Sequence, residues 1–497
     1  MATLYTQHRQ PSTASWLRSY DRKQLYTSLE TASTKAQQLG HEVLVSYTLP
    51  LAWYGTIHLF SSARQANLGD VFFWERPDEH ITFVGIGAAT AIATEGATRF
   101  TDAASAWQTL LKNAVIMDIE KKLPHSIHGP LLFGGFAFDP LAQSTGLWEG
   151  FPAGLLILPS LLFTCIDNQA TLTLNTIVQP FEDVTECMEE ITARVEHLQS
   201  AVENNASFSP AGNARKRHQF SLQNMLPASQ WMNLVDEAVK DIQEGKYEKV
   251  VLARGVQATP IEAHEEIFDI ATILYRLRQS NPKAYLFALQ RGERYFVGAT
   301  PERLVRAQDG QIQTIALAGS AARGRTLEED TRLGEELLHC VKNQGEHEIV
   351  VVTVREALSH LCTDVRIANE LHLLKLKNVQ HLETSIVAEL LPGRSILEVV
   401  AELHPTPAVG GFPRAVALEA IRAGEQLDRG WYAGPIGWID AHGNGEFAVA
   451  LRSAILHTDQ ATLFAGCGIV AGSDPRSEYE ETCLKLQVML RGLGSED

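Results

Sequence analysis

The 497-residue sequence has only six cysteines, at 165, 187, 340, 362, 467 and 483, with no CxxC pair and no regular framework. That spacing excludes a disulfide scaffold or a zinc ribbon, and the cysteines read as reduced thiols of a cytoplasmic protein. Positive charge is in deficit: 42 Lys and Arg stand against 59 Asp and Glu, a formal net charge of −17. Binding a polyanion such as nucleic acid needs a basic footprint, so no such partner is expected. A small anionic substrate stays open, because local field matters more than the total. No apolar run approaches the roughly 18 residues that a membrane span needs. The opening MATLYTQHRQPSTASW lacks a basic stretch followed by an apolar one, so no secretion signal is expected. There is no internal repeat, and GIGAAT (85–90) lacks the third glycine and trailing acid of a dinucleotide fingerprint.

What is present is ordinary globular composition, 45% hydrophobic and 20% charged, in a chain long enough for more than one domain. Residues 1 to about 200 alternate helical patterns with strand-like segments: EVLVSYTL (42–49), DVFFWER (70–76), ITFVGIG (81–87), LLFGGFAFDP (131–140) and ATLTLNTIV (170–178). The polar stretch ENNASFSPAGNARKRH (203–218) is the best linker candidate, and divides the chain into 1–222 and 223–497. Beyond it, residues 229–245 read as a helix capped by Ser229 and closed by Gly245. Strands follow at 249–258 and 313–320, with a hairpin of 284–290 and 294–300 turning at QRGE. One long helix is expected over about 328–360, then strands at 435–440, 445–456 and 461–470. Tight turns between strands, with helices in separate runs, favour antiparallel sheets over a doubly wound fold. The expected class is α+β: two large, mostly antiparallel sheets packed face to face with helices outside, the first half contributing to the same sandwich.

Several charged groups sit where a buried strand or tight turn would not ordinarily put them. Lys249 opens the apolar run VVLARGV; it reads either as an edge gatekeeper or as a desolvated amine able to act as a base. Glu302 follows Gly298-Ala299-Thr300-Pro301 at a strand exit, and is either a turn-capping carboxylate or a catalytic one. Near the C-terminus, Asp474 is placed as N-cap and Pro475 as first residue of a helix. At 3.6 residues per turn Glu478, Glu481 and Lys485 then fall on one stripe, bordered by Leu484 and Val488. The ordinary reading is a solvated face with a Glu481–Lys485 pair. The alternative is that Glu481 converges with Glu346, from the helix containing GEHEIVV, on one divalent cation. Hard oxygen ligands suit Mg²⁺.

The residues from about 225 to 497 resemble the chorismate-utilising enzymes. The segments that carry the resemblance are GKYEKVVLAR, VGATPERLV, IALAGSAARG, EHEIVV, VQHLETSI, LHPTPAVGGFPRAVA, RGWYAGPIGW, FAVALRSA and AGCGIVAGSDPRSEYEETCLKL, in the family's order. WERP and FGGFAFDP resemble the divergent first half of a menaquinone-type member. The resemblance implies Mg²⁺ held by Glu346 and Glu481, with Glu478 nearby and Lys485 on the same stripe. Tyr432 and Arg452, with backbone N–H groups around Gly466 and Gly468, match its carboxylate-binding positions. Gly319, Ser320, His381 and Ala408 fall on its substrate-binding segments, His381 being either against the ring or a core histidine. Lys249 and Glu302 match the base that activates water and the acid that protonates a departing hydroxyl in isochorismate synthases. Ala318 stands where aminodeoxychorismate synthases often carry a lysine, and Ala408-Val409 where salicylate synthases tend to place a threonine. Asn343 departs from the acid that several relatives carry. The implied function is Mg²⁺-dependent conversion of chorismate to isochorismate, in a monomer or homodimer without a glutaminase subunit. Menaquinone supply is the leading route; a siderophore-pathway synthase or a salicylate synthase is the alternative.

Overall fold

In the computed structural model, the described residues are 15–495 apart from 53–54, 119–126, 128, 142–144, 168, 262–267 and 376–378; the side chains of Ser320, Lys342, Glu346 and Val379 are also outside the description. Two large sheets dominate, one of 13 strands and one of 10. All neighbouring pairs are antiparallel except Val43–Leu51 with Val115–Asp118. The fold class is therefore the expected one. Strands of both chain halves share each sheet: Val71–Arg76 pairs with Tyr285–Arg291, and Leu131–Phe136 pairs with Pro435–Asp440. Aromatic rings fill the space between, with Phe72 and Phe133 stacked at 4.3 Å and Phe83 edge-on to Trp438 at 5.2 Å. The proposed linker is not a free tether. Arg276 reaches the carbonyls of Asn213, Ala214 and Lys216, and His218 bridges to Ser495.

Two adjacent chain crossings between the sheets position the centre of the molecule. Arg294–Thr300 lies in the larger sheet and Arg303–Gln308 in the smaller, so Pro301-Glu302 is the crossing. Gly445–Val449 and Ser453–His457 cross the other way through Ala450-Leu451-Arg452. Reciprocal bonds lock the crossings together: Val449 N donates to Glu302 O (3.0 Å), and Ala299 N to Arg452 O (3.1 Å). The Thr300 hydroxyl adds a bond to Val449 O at 2.6 Å. Arg452 is held at φ 47°, a left-handed conformation uncommon for a residue with a Cβ.

Three helical expectations need correction. The helix at 228 begins at Ala228 with Pro227 at the cap, so Ser229 lies inside its first turn. The long helix is two, Leu327–His339 and Val341–Ser359, broken at the extended residue Cys340. In the last helix, Pro475–Leu493, Asp474 caps as expected, accepting from Ser477 N at 2.8 Å. Its buried stripe, however, runs through Thr482, Leu486, Met489 and Leu490, while Leu484 is exposed.

Candidate active site

The two crossings floor a cavity of about 360 Å³. Of the residues singled out in the sequence, Lys249, Glu302, Gly319, His381, Ala408, Tyr432, Arg452, Gly466, Gly468, Glu478, Glu481 and Lys485 all line it. Ser320 and Glu346 have side chains outside the described residues. Their backbones lie in the strand Gln311–Ala322 and the helix Val341–Ser359. Asn343, one turn before Glu346 and so on the same helix face, lines the cavity.

Lys249 is the first residue of Lys249–Pro260, flanked by Gly411-Phe412 on one side and by Gln460–Ile469 on the other. A Cβ on Gly468 would stand 2.9 Å from Lys249 Cε, so the glycine makes room for the amine's stem. In the same lining, Glu302 is enclosed by protein except where it faces the lumen. Burial pushes its carboxyl up to about 7, against the opposing charges of Lys249, Lys485 and Arg452. Burial likewise lowers the Arg452 guanidinium from its ordinary value. His381 sits where the strand Val379–Leu390 meets the bulge at Gly319 (φ 67°). Burial presses its imidazole down to about 4, and the charges of Lys485 and Arg452 add to this, so the ring is neutral at physiological pH. Tyr432 stacks on Phe464 at 5.2 Å, and burial raises its hydroxyl far above the usual phenol range.

The charged stripe of the last helix faces this cavity. Lys485 Nζ donates to Gly466 O at 2.8 Å and pairs with Glu481 at 2.6 Å. Burial raises the Glu478 carboxyl, against hydrogen bonds from Ser473 and Cys467. Among the described residues no group of three or more His, Cys, Asp or Glu gathers as a metal cage. Two carboxylates one turn apart, open to a polar cavity, do fit an ion that completes its shell with water and substrate oxygens, as Mg²⁺ does. Lys249, Arg452 and Lys485 in the same lining explain how a chain of net charge −17 can still present an anion-ready pocket.

One buried group was not singled out in the sequence. Arg429 also lines the cavity, and is paired with Glu425 at 2.6 Å with both side chains almost fully enclosed. The signal was in EQLDR, an acid and a base four apart. It was obscured because the preceding helix ends at Gly424, leaving the pair beyond it.

Comparison with known proteins fits this geometry. The profile of the family described as "Chorismate binding enzyme" matches residues 29–494. The chain belongs to that family. It is 37% identical to isochorismate synthase MenF of Bacillus subtilis over 464 residues, 93% of this chain and 96% of that protein. It is 36% identical to the salicylate biosynthesis isochorismate synthase of Pseudomonas aeruginosa, covering 94% of each. The solved structure of the menaquinone-specific isochorismate synthase MenF from Escherichia coli superposes with a TM-score of 0.73 at 26% identity, covering 94% of this chain and 99% of that one. Among the described residues no helix is long and apolar enough to cross a membrane.

Proposed function

We propose that the protein is an isochorismate synthase: it adds water at C2 of chorismate and expels the C4 hydroxyl, giving isochorismate. The observation that carries this reading is the placement of an amine, Lys249, and a carboxyl raised to about 7, Glu302, in one cavity. Water addition with loss of hydroxide needs a base and an acid in opposite protonation states. Lys249 takes a proton from water as its oxygen bonds to C2. The ring double bond shifts, the C4–O bond breaks, and Glu302 protonates the departing hydroxide. Atoms balance, since one water enters and one leaves.

The other lining residues hold and orient the substrate. Arg452 suits one carboxylate, being a planar fork of donors carried into the cavity lining by the chain crossing. Tyr432 Oη and the backbone around Gly466 and Gly468 complete that end. Mg²⁺ would be held by Glu481, Glu478 and Glu346 and would neutralise the other carboxylate of a dianionic substrate. Ala408-Val409 gives an apolar wall with no group to promote loss of the enolpyruvyl chain. Ala318 offers no amine nucleophile. Neutral His381 lies beside the ring as a hydrogen-bonding group rather than a cation.

Menaquinone supply is the route we favour, from the likeness to proteins named for it. Chain length does not discriminate, because the relative named for salicylate biosynthesis aligns over 94% of this chain and MenF of Bacillus subtilis over 93%. The test is incubation with chorismate and Mg²⁺, with product separation. Isochorismate without pyruvate supports the proposal. Salicylate with stoichiometric pyruvate establishes the lyase alternative, and an aminated product on adding ammonium establishes an ammonia-using one.

A further inference from the structure

Arg429 lines the cavity yet is not a free cation there, because it is paired with Glu425 and four of its five donors are committed. Nε and Nη2 bind both oxygens of Glu425, at 2.6 and 2.7 Å. Nη2 also donates to Val251 O at 2.7 Å, and Nη1 to Val409 O at 3.1 Å. Glu425 in turn accepts from Ala253 N at 2.7 Å. The guanidinium lies 4.3 Å above the ring of Phe138, from the first half of the chain. These partners come from three places. Val251 and Ala253 belong to the strand that begins with Lys249, and Val251 N is itself bonded to Gly410 O at 3.0 Å. Val409 follows Ala408 on the loop that walls the cavity. Phe138 also accepts, through its carbonyl, a bond from His404 Nε2 at 2.9 Å at the root of that loop.

A buried ion pair seldom adds net stability over a well-packed apolar replacement. What this pair supplies uniquely is geometry. A planar fork with its donors bound admits a single arrangement of the strand, the loop and the ring beneath. Resting on the proposed function, we infer that Arg429 is a positioning residue. With Glu425 it fixes the register between the strand presenting Lys249 and the loop presenting Ala408, seated on Phe138. The first half of the chain thereby takes part in placing the base, although it contributes no group described in the cavity lining.

The test compares unaltered protein with Arg429→Lys, which keeps the charge but not the fork, and with Glu425→Gln, which keeps the shape but not the charge. Near-ångström misplacement of a reacting group costs up to roughly 10²-fold, so kcat should fall about 10- to 100-fold while KM moves by less than about threefold. Independently of turnover, the ¹³C-methylated Lys249 amine, assigned by its loss in Lys249→Arg, should change its titration midpoint by about half a pH unit or more in either variant. Unchanged kcat per folded molecule and an unchanged Lys249 titration, with only the melting temperature lowered, would overturn the inference. If Arg429→Lys does not fold, Glu425→Gln decides by the same two readouts. If the unaltered protein does not turn chorismate over, the proposed function fails, while the Lys249 titration still decides the role of Arg429.

Discussion

At the scale of single residues, the proposed chemistry rests on two groups whose surroundings differ. The acid role proposed for Glu302 requires its protonated form, and burial keeps that proton on up to about pH 7 in the free protein. Raising pH through 7 removes that proton, so the acid's contribution to kcat/KM should fall about tenfold per unit above this point. In Glu302→Gln the descending limb should vanish and turnover should drop by roughly 10²-fold or more. Lys249→Ala should lose a similar amount while retaining the descending limb, which belongs to Glu302. A pH series of initial rates on the three proteins checks both statements. A descending limb surviving in Glu302→Gln would take the acid's role away from that residue. These two groups stood out in the sequence because a lysine heading an apolar run and a glutamate after a strand exit are locally unusual. Arg429 opens the segment RGWYAGPIGW, but its pairing with Glu425 was marked only by an ordinary four-residue spacing, and their enclosure comes from elements distant in sequence.

Among elements, the last helix carries the proposed metal end. Its start was legible because Ser473-Asp474-Pro475 is a local capping signal, while its buried stripe was misjudged because packing, not spacing, chose which neighbouring face is covered. The break at Cys340 was illegible for a similar reason: no glycine or proline marks it, and Gln344 reaches back to Leu338 O at 2.6 Å to satisfy the frayed end. Glu481→Gln should raise the Mg²⁺ concentration needed for half-maximal activity by about tenfold or more, since removing one anionic ligand weakens a carboxylate-held cation. Isothermal titration of Mg²⁺ in the presence of product should show the same loss. Equal affinity in the variant would remove Glu481 from the metal site. Asp474→Ala should destabilise the protein through loss of the cap, read as a lower melting temperature.

At the scale of the whole molecule, the sandwich class could be read from turn spacing, but not which strands become neighbours. Strand order depends on contacts between the halves, and no local pattern encodes Leu286 opposite Glu75 or Gly437 opposite Gly134. The seam is also polar. Arg303 bridges Glu79 at 3.0 Å and Glu446 at 2.9 Å, and Arg278 meets Glu75 at 2.7 Å. The fragment 223–497 alone should therefore fail to fold, since it bares two long strand edges and leaves Arg303 and Arg278 without their first-half acids. Circular dichroism and a cooperative melt check this, and a cooperatively folded fragment would contradict it. The central claim is that solvent water, activated by Lys249, becomes the new hydroxyl. The most direct measurement is mass spectrometry of isochorismate formed in H₂¹⁸O. One ¹⁸O atom at C2 in every product molecule is the expected result; product carrying only the original oxygens would mean that the hydroxyl migrates within the substrate, and would contradict the account.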